Sequence, residues 1–421
     1  MTNLKQIRSK LTFRSRIVSG VVLLVFGALI YFLFGGSADW IQKATFGLNM
    51  AGDTQAIPVP DLVLPVKTSV LILALAVVFL GAWQLARGIR SKGLTVGLVA
   101  IAFVLSFLLW ATKDASFSLV GMLNSTLVRA TPIALAALCG VIGERSAVIN
   151  IGIEGILLLS AQTAVVAATV AHSLFVGLIM AILVGGLVAG IHAILAIRFK
   201  VNQIVSSTAI NIFAVGATSF ISSKFLEKNI DALNNSGTFP SISIPLLAKI
   251  PVLGPVLFEN NIIVFLMLIL VILMHVVLFN TPWGLRTRAV GEHPKAADTL
   301  GINVYLVRYV NVIVGGMIAG IGGAYFTIGA VGRFDEMMTA GKGFIGMAAM
   351  IFGKWTPLGA FSSSLIFGFA DSLQVKMQIL QVPIPSEFLL MAPYILTMVV
   401  LAGVVGSATP PAADGEVYEK H

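Results

Sequence analysis

Charged residues are scarce in this chain. Only 11% of its 421 residues are charged, whereas 57% are hydrophobic. The apolar residues form repeated runs of about 20, more than a soluble fold could cover, so the composition excludes a soluble globular protein. The runs are continuous rather than alternating in polarity. They therefore predict membrane-spanning helices, which satisfy their backbone hydrogen bonds internally.

Several chemical signatures are also missing. Cys139 is the single cysteine, which excludes a disulfide within the chain. No Gly-x-x-x-x-Gly-Lys-Ser/Thr sequence is present, so the chain lacks the usual ATP-binding loop. There is no His-Glu-x-x-His motif, the histidines are scattered, and no buried catalytic pair is evident. These absences predict a protein that is not an enzyme and holds no metal or cofactor of its own.

The apolar runs predict an all-α, polytopic transmembrane bundle of about 10–12 helices. Lys and Arg, which give a net charge of +9, cluster beside these runs, a pattern that indicates cytoplasmic loops rather than nucleic-acid binding. The basic segment Met1–Arg16 contains no acid, so we expect a cytoplasmic amino terminus followed by a retained helix. The predicted organisation is three additional helices in residues 1–111, a core in 112–406 and a cytoplasmic tail in 407–421.

A polar interruption precedes the middle of the core. Between two apolar runs, Gly143–Gly155 contains Glu144 and Arg145, which would be costly in lipid without partners. We predict a broken helix or a turn here, with Asn150 and Glu154 inside it. Two interpretations remain open: an ordinary interhelical loop, or irregular backbone that lines a transport cavity.

A polar stripe lies on the third predicted span after this interruption. Gln203, Ser207 and Asn211 recur every four residues and so share one face of a helix. Such a face points towards protein or water rather than lipid. The stripe serves either as interhelical hydrogen bonds, worth about 1 kcal/mol each, or as the wall of a substrate pathway.

Several features of the second half suggest further irregular segments. The apolar run Phe344–Phe352 is too short to span alone, so it either crosses with its flanks or re-enters. Gly143 and Gly152 have the same nine-residue spacing as Gly332 and Gly341, which suggests an inverted repeat. Asp371 and Lys376 fit either a proton-relay pair or solvated charges at the end of a helix.

A polar segment, residues 283–302, lies between two long apolar runs and is placed in the cytoplasm by the order of the spans. Pro294 suits a helix start and Gly301 a helix end, which predicts a helix of about two turns from Lys295 to Leu300. Its face of Ala296, Ala297 and Leu300 fits a groove on a soluble protein. The alternative is an interfacial helix held by lipid headgroups through Arg286, Arg288 and Lys295.

Motifs in a fixed order carry a resemblance to one protein family. The chain resembles the permease subunits of bacterial nucleoside or simple-sugar ABC importers, which are related to ribose and branched-chain amino acid permeases. The likeness extends from about residue 124 to residue 418. It rests on residues 143–155, 284–302, 322–325, 339–345 and 351–355.

This resemblance implies a function and a set of partners. A permease of this kind sits in the bacterial cell membrane, pairs with a second related permease, and works with a cytoplasmic ATPase that binds the ATP and an extracytoplasmic substrate-binding lipoprotein. Nucleosides are the expected substrate. The alternatives are sugars or branched-chain amino acids, or an ion-coupled secondary transporter with Glu154 or Asp371 as the ion site.

Candidate residues follow for the pathway and for coupling. The broken segment and the polar stripe supply the predicted substrate pathway, which comprises Asn150, Glu154, Gln203, Ser207 and Asn211. The loop that matches the ATPase-docking loop of such importers supplies the predicted coupling residues, which are Arg286, Arg288, Glu292, His293, Pro294, Lys295, Ala296, Ala297, Asp298, Leu300 and Gly301.

Overall fold

A computed structural model describes residues 2–50, 59–89, 91–385, 387–389, 391, 394, 398 and 409–420. In these residues, nine helices are long and apolar enough to cross a membrane. The prediction of an all-α, polytopic bundle is therefore confirmed. The predicted final span, residues 388–404, falls mostly outside the described residues. The chain folds into two units, one of residues 1–121 with 377–383 and one of residues 122–376 with 384–421.

The first unit combines long helices with a small sheet. Its elements are α1 (Thr2–Ile30), β1 (Lys43–Gly47), β2 (Leu62–Pro65), α2 (Val66–Ala86), α3 (Lys92–Ala111) and β3 (Ser116–Ser118). The strand order is β2-β1-β3, with β1 antiparallel to β2 and parallel to β3. Helices α1 and α2 approach closely, since a Cβ on Gly81 would lie 2.9 Å from the Leu24 amide nitrogen.

Most of the long helices belong to the second unit. They are α4 (Leu119–Glu144, which begins in the first unit), α5 (Ile153–Ala171), α6 (Leu174–Ala193), α7 (Gln203–Ile221), α10 (Ile262–Asn280) and α13 (Val304–Ala324). Helices α6, α7 and α13 continue as π-helical turns over Ile194–Arg198, Ser222–Leu226 and Tyr325–Val331. Between α7 and α10 lie α8 (Ile230–Leu233), β4 (Ile242–Ser243), α9 (Leu253–Leu257) and β5 (Glu259–Asn260), and β4 pairs with β5 in antiparallel fashion.

Glycine allows the core helices to pack at backbone distance. A Cβ on Gly316 of α13 would lie 2.2 Å from the Ala189 Cβ of α6, and one on Gly185 would lie 2.3 Å from the Gly316 carbonyl oxygen. No larger residue fits at such a contact, which is how small residues drive helix association in lipid. The density of glycine in α13 therefore has a structural cause.

The remaining elements are short or lie late in the chain: α11 (Pro282–Glu292), α12 (Pro294–Thr299), α14 (Lys342–Phe352) and α15 (Pro357–Ile379). At 1.5 Å per residue α14 is about 16 Å long, roughly half a hydrocarbon layer. After α14, the Trp355 indole contacts Glu144 at the end of α4, close to where α7 begins. Before α14, the Phe334 amide donates to Asn234, which lies beyond the carboxyl end of α7. Residues 332–355 thus run from one end of this unit to the other, which is the crossing alternative rather than re-entry.

Candidate translocation path and coupling surface

The turn between α4 and α5, residues 145–152, is held by the predicted polar stripe. Gln203 Oε1 accepts a hydrogen bond of 2.7 Å from the Ile149 amide. Asn211 donates from Nδ2 to the Ile151 carbonyl at 3.0 Å, and its Oδ1 accepts from the Gly155 amide at 2.8 Å. The side chains on α7 thus satisfy backbone groups that the broken helix leaves unpaired.

Ser207 lies on the same face but bonds within its own helix. Its hydroxyl donates to the Gln203 carbonyl at 2.5 Å. Gln203 and Asn211 thus bond between segments, as the interhelical interpretation expects, whereas Ser207 bonds only within α7. Their role as substrate ligands stays a prediction.

Asn150 lies inside the turn and is buried. Its Oδ1 accepts from the Gly152 amide at 2.9 Å, while its Nδ2 has no hydrogen-bond partner among the described residues. Two further side chains that the sequence did not single out complete the turn. His192 Nε2 lies 2.9 Å from the Ile149 carbonyl oxygen, and its Nδ1 lies 3.1 Å from the Ser206 hydroxyl. A histidine in the middle of an apolar run was the signal that could have found them.

Glu154 joins the turn to the second irregular segment. Its buried carboxylate accepts hydrogen bonds from the Thr339 hydroxyl at 2.6 Å, the Gly341 amide at 2.8 Å and the Gly343 amide at 2.7 Å. These amides belong to the N-cap residue and the first turn of α14, where the unpaired N–H groups and the helix dipole favour an anion. Glu154 therefore caps α14 from a different helix.

A cavity of about 400 Å³ opens beside this cap. Of the predicted pathway residues, Glu154 and Asn211 line it, and Asn150, Gln203 and Ser207 do not. Most of the lining is apolar and includes the half-exposed aromatic ring of Phe344, which sequence reasoning missed. The complete lining is Glu154, Gly155, Leu158, Asn211, Ile212, Val215, Met337, Thr339, Ala340, Gly341 and Phe344.

The equal glycine spacings do not correspond to equal backbone conformations. Gly332 and Gly341 are left-handed, with φ of +81° and +76°. Gly152 has φ of −71°, and the left-handed residue of the first segment is Ala147. The two segments thus share the nine-residue glycine spacing but not the backbone conformation at the corresponding glycines.

Asp371 has different partners from the one expected. Its carboxylate lies 3.1 Å from the Arg129 guanidinium of α4 and 3.1 Å from the Lys342 ammonium of α14. Asp371 is buried, so it is neither the partner of Lys376 nor a solvated charge at a helix end, and both alternatives for it are wrong. The three charges join α4, α14 and α15, and pairing reduces the cost of ionised groups within the apolar core.

The predicted helix in the polar loop is present as α12. The His293 side chain accepts from the Ala296 amide at 3.3 Å, Pro294 occupies the first turn, and Gly301 beyond the helix has φ of +81°. The end of α11 packs directly on the turn 145–152, because a Cβ on Gly291 would lie 2.3 Å from the Arg145 carbonyl oxygen. A movement of α11, or of α12 beside it, can therefore be passed to this turn directly, through the contact between Gly291 and Arg145.

The exposed face of α12 differs from the one expected. Leu300 is 82% exposed and Ala296 is exposed, but Ala297 is only 2% exposed. Ala297 packs with Val290, Val304, Val307 and Tyr418. The predicted docking face is therefore corrected to Lys295, Ala296, Thr299 and Leu300, with Ala297 as the residue that anchors the helix.

The other predicted coupling residues divide between solvent and protein. Arg286 is exposed, whereas the Arg288 guanidinium lies 5.1 Å from the centre of the Phe279 ring. Glu292 accepts from the Ala412 amide and Asp298 lies 3.8 Å from the Lys420 ammonium, so both contact the end of the chain. Pro294 is buried, and His293 and Gly301 are exposed.

Charged groups also lie where the turn and the loop meet. Arg145 donates to the carbonyl oxygens of Trp355 and Lys354, at 2.8 and 3.3 Å, and burial lowers its pKa. Asp414 lies beside the Glu144 carboxylate, and burial raises the pKa of Asp414 to about 6. Arg145 thus links the two irregular segments, and Asp414 links the carboxyl-terminal residues to the end of α4.

The fold and this geometry define a multi-pass membrane transport protein, in which interrupted helices enclose a cavity and a polar loop contacts the interruption. The chain matches the family model described as branched-chain amino acid transport system, permease component, over residues 122–407. It therefore belongs to this permease family and is a transport subunit, not an enzyme.

Named proteins of this kind are similar over most of their length. The chain is 42% identical to the guanosine ABC transporter permease protein NupQ of Bacillus subtilis (strain 168) over 310 residues, which cover 70% of this chain and 95% of NupQ. It is 39% identical to the nucleoside ABC transporter permease protein NupC of Lactococcus lactis subsp. cremoris (strain MG1363) over 305 residues, again 70% and 95%.

A third relative is the guanosine ABC transporter permease protein NupP of Bacillus subtilis (strain 168). It is 26% identical over 285 residues, which cover 66% of this chain and 78% of NupP. One organism thus has two different permease proteins named for guanosine, which supports a second permease as partner. No solved structure matches the chain.

Proposed function

We propose that this chain is the transmembrane permease subunit of an ATP-driven nucleoside importer in the bacterial cell membrane. The observation that carries the proposal is the 42% and 39% identity to a guanosine and a nucleoside permease, each covered over 95% of its length. Similarity over nearly the whole of both relatives favours the same substrate class. Sugars and branched-chain amino acids are the competing substrates.

The partners follow from this assignment. A second, related permease completes the translocation path, a cytoplasmic ATPase binds and hydrolyses the ATP, and an extracytoplasmic lipoprotein delivers the substrate. Closure of the ATPase on ATP would press on α12, and the contact of Gly291 with the Arg145 carbonyl would pass the movement to the turn 145–152. Access to the cavity would then alternate between two states.

The orientation of the first unit is also part of the proposal. The Arg16 guanidinium, where the apolar part of α1 begins, donates to the Leu85 and Ala86 carbonyl oxygens at the end of α2, at 2.6 and 2.9 Å. Arg87 stacks on Trp83 at 5.1 Å at the same end. A concentration of cations with no acid nearby favours the cytoplasmic side, which places the amino terminus inside.

The cavity beside Glu154 is the proposed substrate site. The Phe344 ring supplies an aromatic surface on which a planar base can stack. Glu154 and Asn211 form the polar side of this cavity. Asn150, Gln203 and Ser207 lie outside its lining and belong to the proposed path through the turn 145–152, where the Asn150 amide has no hydrogen-bond partner among the described residues. Ring nitrogens and ribose hydroxyls of a substrate on this path would be suitable partners for that amide.

Uptake by intact cells tests the substrate. Cells with and without the gene for this chain are compared for accumulation of labelled nucleosides, ribose and branched-chain amino acids. We expect deletion to remove nucleoside uptake alone. Loss of sugar or amino acid uptake with normal nucleoside uptake would reassign the substrate.

A further inference from the structure

The described carboxyl-terminal residues, 409–420, are folded onto the coupling loop rather than extending from it. The Ala413 amide donates to the Gly291 carbonyl oxygen at 3.0 Å, and the Ala412 amide donates to the Glu292 carboxylate at 3.3 Å. Both partners lie at the end of α11. The segment is thus attached to the loop at the point where α11 meets α12.

The strongest attachment is the aromatic ring of Tyr418. It is 4% exposed and packs with Val290 of α11, Ala297 of α12, and Val304 and Val307 of α13. The ring of Tyr305 lies 5.3 Å away, centre to centre. One side chain of the tail therefore occupies the space between three helices of the loop region.

Polar contacts fix the segment at both sides of this ring. The Arg308 guanidinium of α13 donates to the Glu416 carbonyl oxygen at 2.9 Å. Lys200, in the loop between α6 and α7, pairs with Glu419, and Lys420 lies 3.8 Å from Asp298 of α12. The tail therefore bridges α12 to elements on either side of it.

The tail also reaches the turn 145–152. Asp414 lies beside Glu144, and Gly415 is left-handed, with φ of +77°. A Cβ on Gly415 would lie 2.8 Å from the Ile149 Cδ1, so the tail backbone packs on the turn that the polar stripe holds. The same short segment contacts both the proposed ATPase-docking helix and the proposed substrate path.

Helix α12 needs such support. A helix of six residues is too short to be stable by itself in water, so its position depends on packing. Its own buried side chains are Pro294 and Ala297, which are small. Tyr418 supplies the large apolar surface that the helix lacks.

We propose that residues 409–420 act as a strap that fixes α12 to the permease core, so that movement of the docked ATPase reaches α13 and the turn 145–152 without loss. Tyr418 is the positioning residue of this strap. The proposal rests on the proposed function, because it assumes that α12 meets an ATPase.

The coupling ratio of the whole importer tests the strap. This chain, its partner permease and the ATPase are reconstituted in liposomes with the binding protein, and nucleoside transported per ATP hydrolysed is measured. We expect Tyr418→Ala to lower the ratio at least fivefold. Tyr418→Phe, which keeps the ring, and Val417→Ala, at a half-exposed neighbour, should retain the normal ratio.

The ratio separates positioning from simple loss of protein, since fewer assembled complexes lower both rates together. An unchanged ratio for Tyr418→Ala contradicts the strap alone. Absence of ATP-dependent uptake by the unaltered complex contradicts the proposed function and the strap with it.

A cross-linking experiment tests whether the strap stays in place, even if the Tyr418→Ala complex does not assemble. Cysteines placed at Lys200 and Glu419 are bridged by a short bismaleimide, with each single-cysteine variant as control. A strap stays in place during the cycle, so the bridged complex should transport at the rate of the controls. Transport that is lost only on bridging would show that the tail must leave, which overturns the proposal.

Discussion

Glu154 shows how one residue can link two irregular segments. A carboxylate in an apolar core is costly, and three donors from the segment 339–343 offset that cost. The sequence indicated that an acid at this place needed partners. It could not identify them, because the donors are a hydroxyl and two backbone amides that lie 185 to 189 residues further along the chain.

Replacement of this carboxylate gives the first prediction. Glu154→Gln puts an amide donor among three donors, and we expect a loss of about 2–3 kcal/mol of stability, the value of hydrogen bonds to a charged group. Thermal unfolding in detergent measures it. The exposed Glu227→Gln serves as the matched control, and equal melting temperatures for the two variants would contradict the capping role.

Asp414 gives a prediction for pH. Burial raises its pKa from 3.8 to about 6, with Glu144 and Arg308 facing it. A raised pKa means that the folded state holds the proton more tightly, so this stabilisation is complete below pH 3.8 and is lost as pH rises through about 6. Asp414→Asn keeps a neutral side chain at every pH.

We therefore expect the melting temperature of Asp414→Asn, relative to the unaltered protein, to increase between pH 5 and pH 7.5. Glu416→Gln, at an exposed acid of the same segment, should show no such trend. A constant difference between Asp414→Asn and the unaltered protein across this range would contradict the assignment.

At the scale of the helix, the loop element α12 was predictable because its signals are local. Pro294 and Gly301 mark its ends in the sequence, and the structure has the helix over Pro294–Thr299. Which side it exposes was not predictable, because Ala297 is buried by Tyr418 from a distant part of the chain. The residue types on a helix face do not determine whether that face is exposed when a segment from elsewhere in the chain packs on it.

The corrected face gives a prediction for partner binding. Leu300 is the most exposed apolar side chain of the loop, and Leu300→Asp places a charge where we expect the groove of the ATPase. Capture of the ATPase with the purified permease pair should fall at least tenfold. Leu246→Asp, at a comparably exposed leucine between α7 and β5, should leave capture unchanged, and unchanged capture for both would exclude α12 as the docking element.

The charges that join α4, α14 and α15 give a further prediction. Asp371→Asn leaves Arg129 and Lys342 without their shared anion, and we expect it to cost about 2 kcal/mol or more because the site is partly buried. Lys376→Gln should have little effect, since Lys376 is not the partner of Asp371. Thermal unfolding compares the two, and a larger loss for Lys376→Gln would restore the pairing that the sequence suggested.

At the scale of the whole molecule, composition alone was sufficient for the class of protein, because apolar runs of spanning length have few other uses. The boundary at residue 111 between the first helices and the core stays a prediction. The first unit of the structure comprises residues 1–121 and 377–383, and the family match begins at residue 122. The cavity and the folded tail were beyond sequence reasoning, because both are assembled from segments that are far apart in the chain.

The most direct test of the central claim is uptake of labelled nucleoside into liposomes that hold this chain, first alone with an ion gradient and then with the partner permease, the ATPase and the binding protein. We predict no uptake by the chain alone, and ATP-dependent uptake by the full set that unlabelled nucleosides inhibit and sugars do not. Uptake by the chain alone, driven by the ion gradient, would contradict the account and identify a secondary transporter.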